Sequence, residues 1–269
     1  MAEESFRLKE GAPVVVVYPA HTIEKDEASA ALLARLCTSL SKIAQIEKIG
    51  RDDFSDARST GAALIICLGG DGTTLDVARH TQTSPVLSLK LRPDSVGYLC
   101  TDDASQPDKI AHKLTQNGAF VVSRSRLQLV VNGKPVGVPV TNDILIANES
   151  PARTTRYVLN YAQFQERHCS SGLWIATARG SHAAARSAGA HPLPDDDARF
   201  VLRVRELNHA NTTTPTLDAV FSPDQPPELV MLSNHIAAFA DGDLWRYPLE
   251  PSDCVSFCDA EPMRVVKFR

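Results

Sequence analysis

Two apolar patterns divide the chain. In the first part, runs in which almost every residue is apolar, such as Val14–Val17 and Ala62–Leu68, alternate with a helical pattern over Asp26–Ile43. A continuous apolar run predicts a strand buried on both faces. Strands that alternate with helices predict a parallel, doubly wound α/β sheet. We therefore expect a Rossmann-like α/β domain over residues 1–118.

The same domain contains two shorter predicted elements. Pro85–Leu89 is predicted to be a strand, and a helix is predicted to carry Ile110 and Leu114. Ser105 can cap the start of that helix, and Gly118 suits its end.

From Ala119 onward the apolar segments are short, rich in β-branched residues and separated by turns. Asn132-Gly133 between apolar runs is a strong hairpin signal. This pattern predicts a mostly-β domain over residues 119–269. The last ~15 residues can pack back on the first domain. The predicted strand segments are Leu127–Val131, Ile144–Ala147, Tyr157–Tyr161, Phe200–Val204 and Leu229–Leu232.

Composition excludes several classes of protein. The chain has 269 residues and a net charge of −4, which gives no electrostatic reason to bind nucleic acid or an anionic membrane. No apolar stretch approaches the roughly 20 residues of a membrane span. The six cysteines form no Cys-x-x-Cys pair, which indicates a reducing compartment without a disulfide framework or zinc site. Together with the acidic N-terminus, this favours a cytoplasmic location, although an organelle is not excluded.

The strongest chemical signal is the turn Gly69-Gly70-Asp71-Gly72-Thr73-Thr74, between the predicted buried strand and a predicted helix. Free N–H groups at a helix start favour bound phosphate. A carboxylate beside phosphate is repulsive unless Mg²⁺ or a substrate hydroxyl offsets it, so Asp71 points to phosphoryl transfer. The alternative is an ordinary turn, because glycine and aspartate tolerate left-handed backbone. No lysine follows the glycines, so the turn is not the common nucleotide P-loop.

Two further segments carry candidate ligand contacts. Asn142 and Asp143 follow a strand-like stretch and suit hydrogen bonds to ribose hydroxyls, but they are equally ordinary turn residues. The small-residue cluster Thr177–Ala190 predicts a helix begun by Gly180-Ser181, packed on a sheet or lining a ligand surface. Asp195–Asp197 is expected to be a solvated loop.

Taken in order along the chain, these segments resemble the NAD kinase family. The shared landmarks are Gly69–Thr73, Asn142-Asp143, Arg179–Ala183 and Asp241-Gly242. The resemblance is strongest to the plant-type NADH kinase branch, which also shows the motifs that stand here as Asn142–Ala147, Ser170–Leu173 and Phe221–Gln225.

The resemblance implies an α/β domain, a β-sandwich-like domain and a cleft between them. It implies ATP-dependent phosphorylation of the 2′-hydroxyl on the adenosine ribose of NAD or NADH, with Mg²⁺ or another divalent cation whose ligands it does not identify. It further implies small-molecule nucleotides as partners and a homodimer or homotetramer. The roles that it implies are catalysis for Asp71, phosphate binding for Gly70, Gly72 and Thr73, and binding of ribose and adenine for Asn142 and Asp143. Ser181, His182, Ala183 and Ser187 would line the dinucleotide site, with Asp241 near its pyrophosphate or the donor.

The chain departs from the family pattern at several positions. His182 replaces the usual Thr, Ala184 replaces a Tyr found in many members, and Ser171 stands where many members have Asp. Lys90 and Arg92 could bind donor phosphates or belong to a solvated loop. Two other functions stay open: a lipid kinase of the diacylglycerol or sphingosine type, which shares the Gly-Gly-Asp-Gly turn, and a non-catalytic NAD(H)-binding sensor.

Overall fold

A computed structural model describes residues 3–92, 94, 97–208 and 218–269. The chain forms two compact units, one from residues 1–124 and 262–269 and the other from residues 125–261. The sequence placed the domain boundary at 118/119, at the start of a long strand, whereas the units divide within that strand. The last eight residues, 262–269, belong to the first unit.

The helices and strands follow one another in the order typical of an α/β region and then a β region. The helices are α1 (Ala20–Lys25), α2 (Glu27–Ser41), α3 (Asp56–Ser59), α4 (Asp71–Arg79), α5 (Pro107–Thr115) and α6 (Ala184–Ser187), with 3₁₀ turns at Arg51–Asp53 and Gly180–His182. The strands up to the division are β1 (Glu4–Phe6), β2 (Ala12–Tyr18), β3 (Ala44–Gly50), β4 (Leu64–Gly69), β5 (Val86–Lys90), β6 (Asp102–Asp103) and β7 (Ala119–Val131). The strands that follow are β8 (Lys134–Val140), β9 (Asp143–Asn148), β10 (Thr155–Tyr161), β11 (Phe164–Ser170), β12 (Gly172–Ala176), β13 (Phe200–Arg205), β14 (Asp218–Phe221), β15 (Glu228–Met231), β16 (Ile236–Ala240), β17 (Trp245–Leu249) and β18 (Cys254–Phe268).

The first unit is built on a parallel sheet in which β18, β5, β4, β2 and β3 are neighbours in that order. One face of β2 and β4 packs against the leucines of α2, and the other face packs against Val77 and Ala78 of α4. Both faces are therefore covered, which explains why these strands read as continuous apolar runs. The predicted parallel α/β sheet is confirmed.

The second unit consists of antiparallel strands. One sheet has the order β14, β13, β12, β9, β16, β17, and β11, β10, β15 and β18 pair in the other. Side chains from both sheets share one apolar core that contains Tyr157, Phe200 and Phe257. Asn132 and Gly133 have φ of 50° and 75°, the left-handed backbone that a two-residue hairpin turn requires, and they join β7 to β8. The predicted hairpin and sandwich-like domain are confirmed.

The helix predicted over residues 26–43 is confirmed as α2 (Glu27–Ser41), with the extended residue Asp26 (φ −135°) as its N-cap. Two local predictions at the ends of α5 are wrong. Ser105 does not cap α5, whose first turn begins with Pro107 after Gln106. At the other end of α5, Asn117 and not Gly118 takes the left-handed conformation (φ 59°).

The small-residue cluster also differs from the prediction. Instead of one helix it forms the 3₁₀ turn Gly180–His182 and the single-turn helix α6. The acidic run 195–197 is a loop, where Asp197 pairs with Arg199 at 2.7 Å. Within the described residues, every helix is too short or too polar to cross a membrane.

Candidate functional site

The predicted phosphate turn lies at the carboxyl end of β4. Gly70 is extended (φ −108°, ψ −166°) and precedes α4, which begins at Asp71. A Cβ at Gly69 would lie 2.4 Å from Oγ1 of Thr73, so only glycine fits there. Cβ atoms at Gly70 and Gly72 would meet no atom of the described residues within 4 Å. The start of the helix is therefore open on the side of these two glycines, where backbone N–H groups favour an anion.

The Asp71 carboxylate is held by two backbone N–H groups. The N–H of Tyr98 donates to Oδ2 at 3.0 Å, and the N–H of Leu99 donates to Oδ1 at 2.8 Å. Asp71 is half-buried, so the carboxylate is both fixed in orientation and open to solvent. Tyr98 and Leu99 were not predicted from the sequence, because their contribution is made by the backbone and no residue type signals it.

The two cations noted near this turn have different environments. Lys90 is half-buried at the end of β5. Arg92 lies 3.3 Å from the carboxylate of Asp26, so part of its charge is already balanced by an acid.

The motifs of the second unit are joined by a carboxylate. Asp241 follows β16 in a left-handed conformation (φ 49°). Its carboxylate accepts hydrogen bonds from the N–H of Thr141 (2.9 Å) and of Asn142 (2.6 Å). Its own N–H donates to the carbonyl of Asp143 at 2.9 Å. Asp241 thus fixes the turn between β8 and β9 through both of its carboxylate oxygens.

Asn142 contacts the small-residue segment through its backbone carbonyl. The N–H of Thr177 donates to this oxygen at 2.8 Å. A Cβ at Gly180 would lie 1.9 Å from the same oxygen, so the close approach requires glycine at position 180. The side-chain Oδ1 of Asn142 is buried and has no hydrogen-bond partner in the described part of the chain. It is an acceptor that a ligand donor can satisfy.

The segment after Gly180 contains the other predicted contacts. Ser181 is fully buried, and its Oγ donates to the carbonyl of Ala178 (2.6 Å) and accepts from the N–H of Leu193 (2.8 Å). Nε2 of His182 lies 2.9 Å from the carbonyl oxygen of Leu193. His182 and Ala183 are half-buried, and Ser187 is exposed. Ser181 therefore holds the loop at Leu193, while the three others have surface open to a ligand.

Burial shapes the charges of this cluster. It raises the pKa of Asp143 to about 7, with the negative charge of Asp241 as a second cause. Burial also raises the pKa of Asp241 to about 6, against the opposing effect of the N–H groups that it accepts and of Arg126. Arg126 is itself fully buried, and burial lowers its pKa to about 10. Arg126 was missed, although an arginine directly before the apolar run Leu127–Val131 is a visible anomaly.

Ser171 lies in a cavity of about 550 Å³ in the second unit. Many members of the family that the sequence resembles have Asp at this position. Trp174 and Phe239 contribute aromatic surface to the cavity, and Arg205 and Asp243 contribute charge. The cavity combines apolar walls with a few polar groups, as small-molecule sites do.

The predicted residues therefore form two groups. Gly70, Asp71, Gly72 and Thr73 lie together in the first unit, and the others lie in the second unit, where hydrogen bonds connect the turn at Asn142, the segment at Gly180 and Asp241. Among the described residues, no three His, Cys, Asp or Glu side chains gather into a potential metal cage.

Known proteins share this sequence pattern and this fold. A family profile described as ATP-NAD kinase N-terminal domain matches residues 1–120. A probable NADH kinase of Oryza sativa is 26% identical over 259 residues, which cover 85% of this chain and 78% of the rice protein. An NAD kinase of Clostridium perfringens is 30% identical over 185 residues, which cover 65% of this chain and 64% of that kinase.

Two solved structures share the fold. Yeast NADH kinase, in complex with NADH, superposes with a TM-score of 0.79 at 15% identity and covers 97% of this chain and 84% of its own. An NAD kinase from Archaeoglobus fulgidus, in complex with ATP, gives a TM-score of 0.70 at 19% identity and covers 96% and 93%.

Proposed function

Because this chain belongs to the NAD kinase family, we propose that it transfers a phosphoryl group from ATP to the 2′-hydroxyl on the adenosine ribose of NAD or NADH. The observation that carries the proposal is the Asp71 carboxylate, which two backbone N–H groups orient at the start of an open glycine turn. In a site that only binds anions, a carboxylate in this position would repel the ligand. In a reaction at a hydroxyl, the same carboxylate can accept the proton of that hydroxyl.

In the proposed reaction, Asp71 orients the ribose 2′-hydroxyl and accepts its proton. The hydroxyl oxygen bonds to the γ-phosphorus of ATP, the bond from that phosphorus to the bridging oxygen breaks, and ADP leaves. The backbone at Gly70 and Gly72, together with Thr73, binds donor phosphates at the start of α4. Positioning and electrostatic stabilisation supply most of the catalysis of phosphoryl transfer. The carboxylate does not need to move for this role, because Tyr98 and Leu99 already hold both of its oxygens.

Mg²⁺ fits this arrangement only as an ion shared with the phosphates. Mg²⁺ bound with nucleotides commonly takes one or two carboxylates and completes its octahedron with phosphate and water oxygens. Asp71 is a carboxylate at the phosphate turn that can serve in this way. When bound, the ion neutralises charge on the transferring phosphoryl group.

In the second unit, we assign recognition of the adenosine to the turn at Asn142. The unpartnered Oδ1 of Asn142 can accept a hydrogen bond from a ribose hydroxyl or the adenine amino group. Asp143 adds a carboxyl group beside it, and the accessible residues His182, Ala183 and Ser187 line the dinucleotide.

Two of the proposed dinucleotide residues act indirectly in this scheme. Both oxygens of Asp241 and the hydroxyl of Ser181 are engaged with backbone groups. Unlike Asp71, which is half-buried, both residues are also buried. We therefore assign them the positioning of Asn142 and of the loop at Leu193. The homodimer or homotetramer and the cytoplasmic location stay predictions.

The test is an initial-rate comparison of NAD and NADH with ATP, with polyphosphate and with Mg²⁺, detecting NADP(H) with an NADP-specific dehydrogenase. We expect Asp71→Asn to lower kcat at least about 100-fold, as loss of a general base does. Asp53→Asn is the matched control, because Asp53 is an exposed aspartate of the same unit. Melting curves and NADH titration of Asp71→Asn separate lost chemistry from lost structure, and Asp71→Glu restores the charge if the amide does not fold.

Two results would contradict the proposal in different ways. If the wild type converts neither dinucleotide with any donor, the kinase assignment is wrong. If the wild type is active and Asp71→Asn forms NADP(H) at the same rate, the role of Asp71 is wrong.

A further inference from the structure

A second cavity of the second unit, about 510 Å³ in volume, differs from the one at Ser171 in its charge. It lies where the segment between β9 and β10 meets the turn between β15 and β16. None of the described residues that line it is acidic. The lining includes Arg153, Arg156, Ser233 and His235.

Hydrogen bonds between the two segments fix the walls of this cavity. The N–H of Arg156 donates to Oγ of Ser233 at 2.9 Å, and the N–H of Leu232 donates to the carbonyl of Arg156 at the same distance. The N–H of Glu149 donates to the carbonyl of His235 at 2.9 Å. These hydrogen bonds, all donated by backbone N–H groups, hold the walls of the cavity in place. None of them uses an arginine side chain.

The guanidinium groups of Arg153 and Arg156 are exposed, and in the described part of the chain neither makes an ion pair or a side-chain hydrogen bond. The nearby acid Glu149 is already paired with Arg246. Two uncompensated arginines and a histidine around one cavity stand out in a chain whose net charge is −4. Planar guanidinium groups bind phosphate through paired, charge-assisted hydrogen bonds.

We propose that this cavity is an anion site that binds the phosphate group of a small phosphorylated molecule. Arg153 and Arg156 contact the phosphate oxygens, with His235 as a further donor. The cavity volume lies within the range of small-molecule sites and leaves room for the group that carries the phosphate. Arg153 and Asn148 also line the cavity at Ser171, so an occupant can influence the residues of that cavity.

The experiment is isothermal titration calorimetry of the full chain at constant ionic strength with pyrophosphate, inorganic phosphate and ADP as separate probes. The test variants are Arg153→Met, Arg156→Met and the double variant. Arg167→Met is the matched control, because Arg167 is exposed on β11 in the same unit and does not line the cavity. Tryptophan fluorescence confirms that each variant is folded, and Arg156→Lys keeps the charge if Arg156→Met does not fold.

The wild type is expected to bind pyrophosphate, and each methionine variant to weaken this binding at least about tenfold through lost charge-assisted hydrogen bonds. Arg167→Met should bind as the wild type does. Anion binding at the glycine turn is the same in the wild type and in every variant. Only binding that is lost in the double variant is therefore assigned to this cavity. Tighter binding of ADP than of the inorganic anions identifies a nucleotide as the phosphate source, and equal binding identifies the free anion. The proposal is overturned if the isotherms of wild type and double variant superimpose, or if Arg167→Met weakens binding as much. No turnover is needed, so failure of the proposed kinase reaction leaves this test intact.

Discussion

Asp143→Asn should change how the stability of the second unit depends on pH. Asp143 is 4% exposed, and burial together with Asp241 raises its pKa from the ordinary 3.8 to about 7. This difference corresponds to roughly 4 kcal/mol at about 1.36 kcal/mol per pKa unit. Asparagine has the same shape but cannot ionise. The substitution therefore removes the pH-dependent part of the free energy of unfolding that the Asp143 carboxyl group contributes.

The sign follows from proton binding. Because the folded-state pKa is raised, the stabilising contribution is fully present below pH 4 and is lost as pH rises through 7. Between these values the folded state binds one more proton than the unfolded state at this site. The stability of Asp143→Asn relative to the wild type should therefore increase by about 4 kcal/mol from pH 4 to pH 8. Asp241 is the second cause of the raised pKa of Asp143, so the substitution also changes the titration of Asp241, and the difference reports the coupled pair.

Tryptophan fluorescence during urea unfolding is a specific assay, because both tryptophans, Trp174 and Trp245, belong to the second unit. Unfolding curves are measured between pH 4 and pH 8 for the wild type, Asp143→Asn and the control Asp243→Asn. Asp243 is exposed, so its variant should follow the wild type at every pH. A stability difference between Asp143→Asn and the wild type that does not change with pH would refute the argument.

Two further substitutions test the contacts that hold the second-unit motifs together. Gly180→Ala places a Cβ 1.9 Å from the carbonyl oxygen of Asn142, so we expect a loss of about 1–3 kcal/mol in the free energy of unfolding and weaker NADH binding by calorimetry. Gly70→Ala, whose Cβ meets no atom of the described residues within 4 Å, should cost less than about 1 kcal/mol. Equal losses in the two variants would contradict the steric argument. Ser181→Ala leaves the buried N–H of Leu193 without its acceptor, so we expect a cost of about 1–3 kcal/mol and faster amide hydrogen exchange at Leu193. Unchanged exchange there would show that the hydroxyl does not hold the loop.

Periodicity predicted the elements whose burial is uniform. β2 and β4 are covered on both faces, so every position is apolar and the pattern has one interpretation. The Asn132-Gly133 turn was predictable because its left-handed backbone favours these two residue types. Helix boundaries were less predictable. Ser105 was predicted to cap α5, but the helix begins at Pro107 after Gln106, and glutamine is not among the preferred N-cap residues.

The sequence indicates candidate site residues where side-chain chemistry is unusual, but not where the backbone acts. Asp71 was identifiable because a carboxylate in a phosphate turn is anomalous. The N–H groups of Tyr98 and Leu99 that orient it carry no sequence signal. For Ser181, the position in a motif indicated a ligand contact. In the structure its hydroxyl makes hydrogen bonds to two backbone groups inside the fold.

In the second unit, the features that lower the stability of the fold lie at the same few residues that the motifs identify. Asp143 and Asp241 are buried carboxyl groups with raised pKa values, Asp241 also has a left-handed backbone, and Asn142 has a buried acceptor without a partner. Each of these features lowers the stability of the folded unit. Apolar side chains at these buried positions would avoid these losses of stability. Stability alone therefore does not explain why the unfavourable features occur together. A ligand that donates hydrogen bonds to the turn at Asn142 removes part of the cost on binding, which is the arrangement that a recognition site requires and a purely structural turn does not.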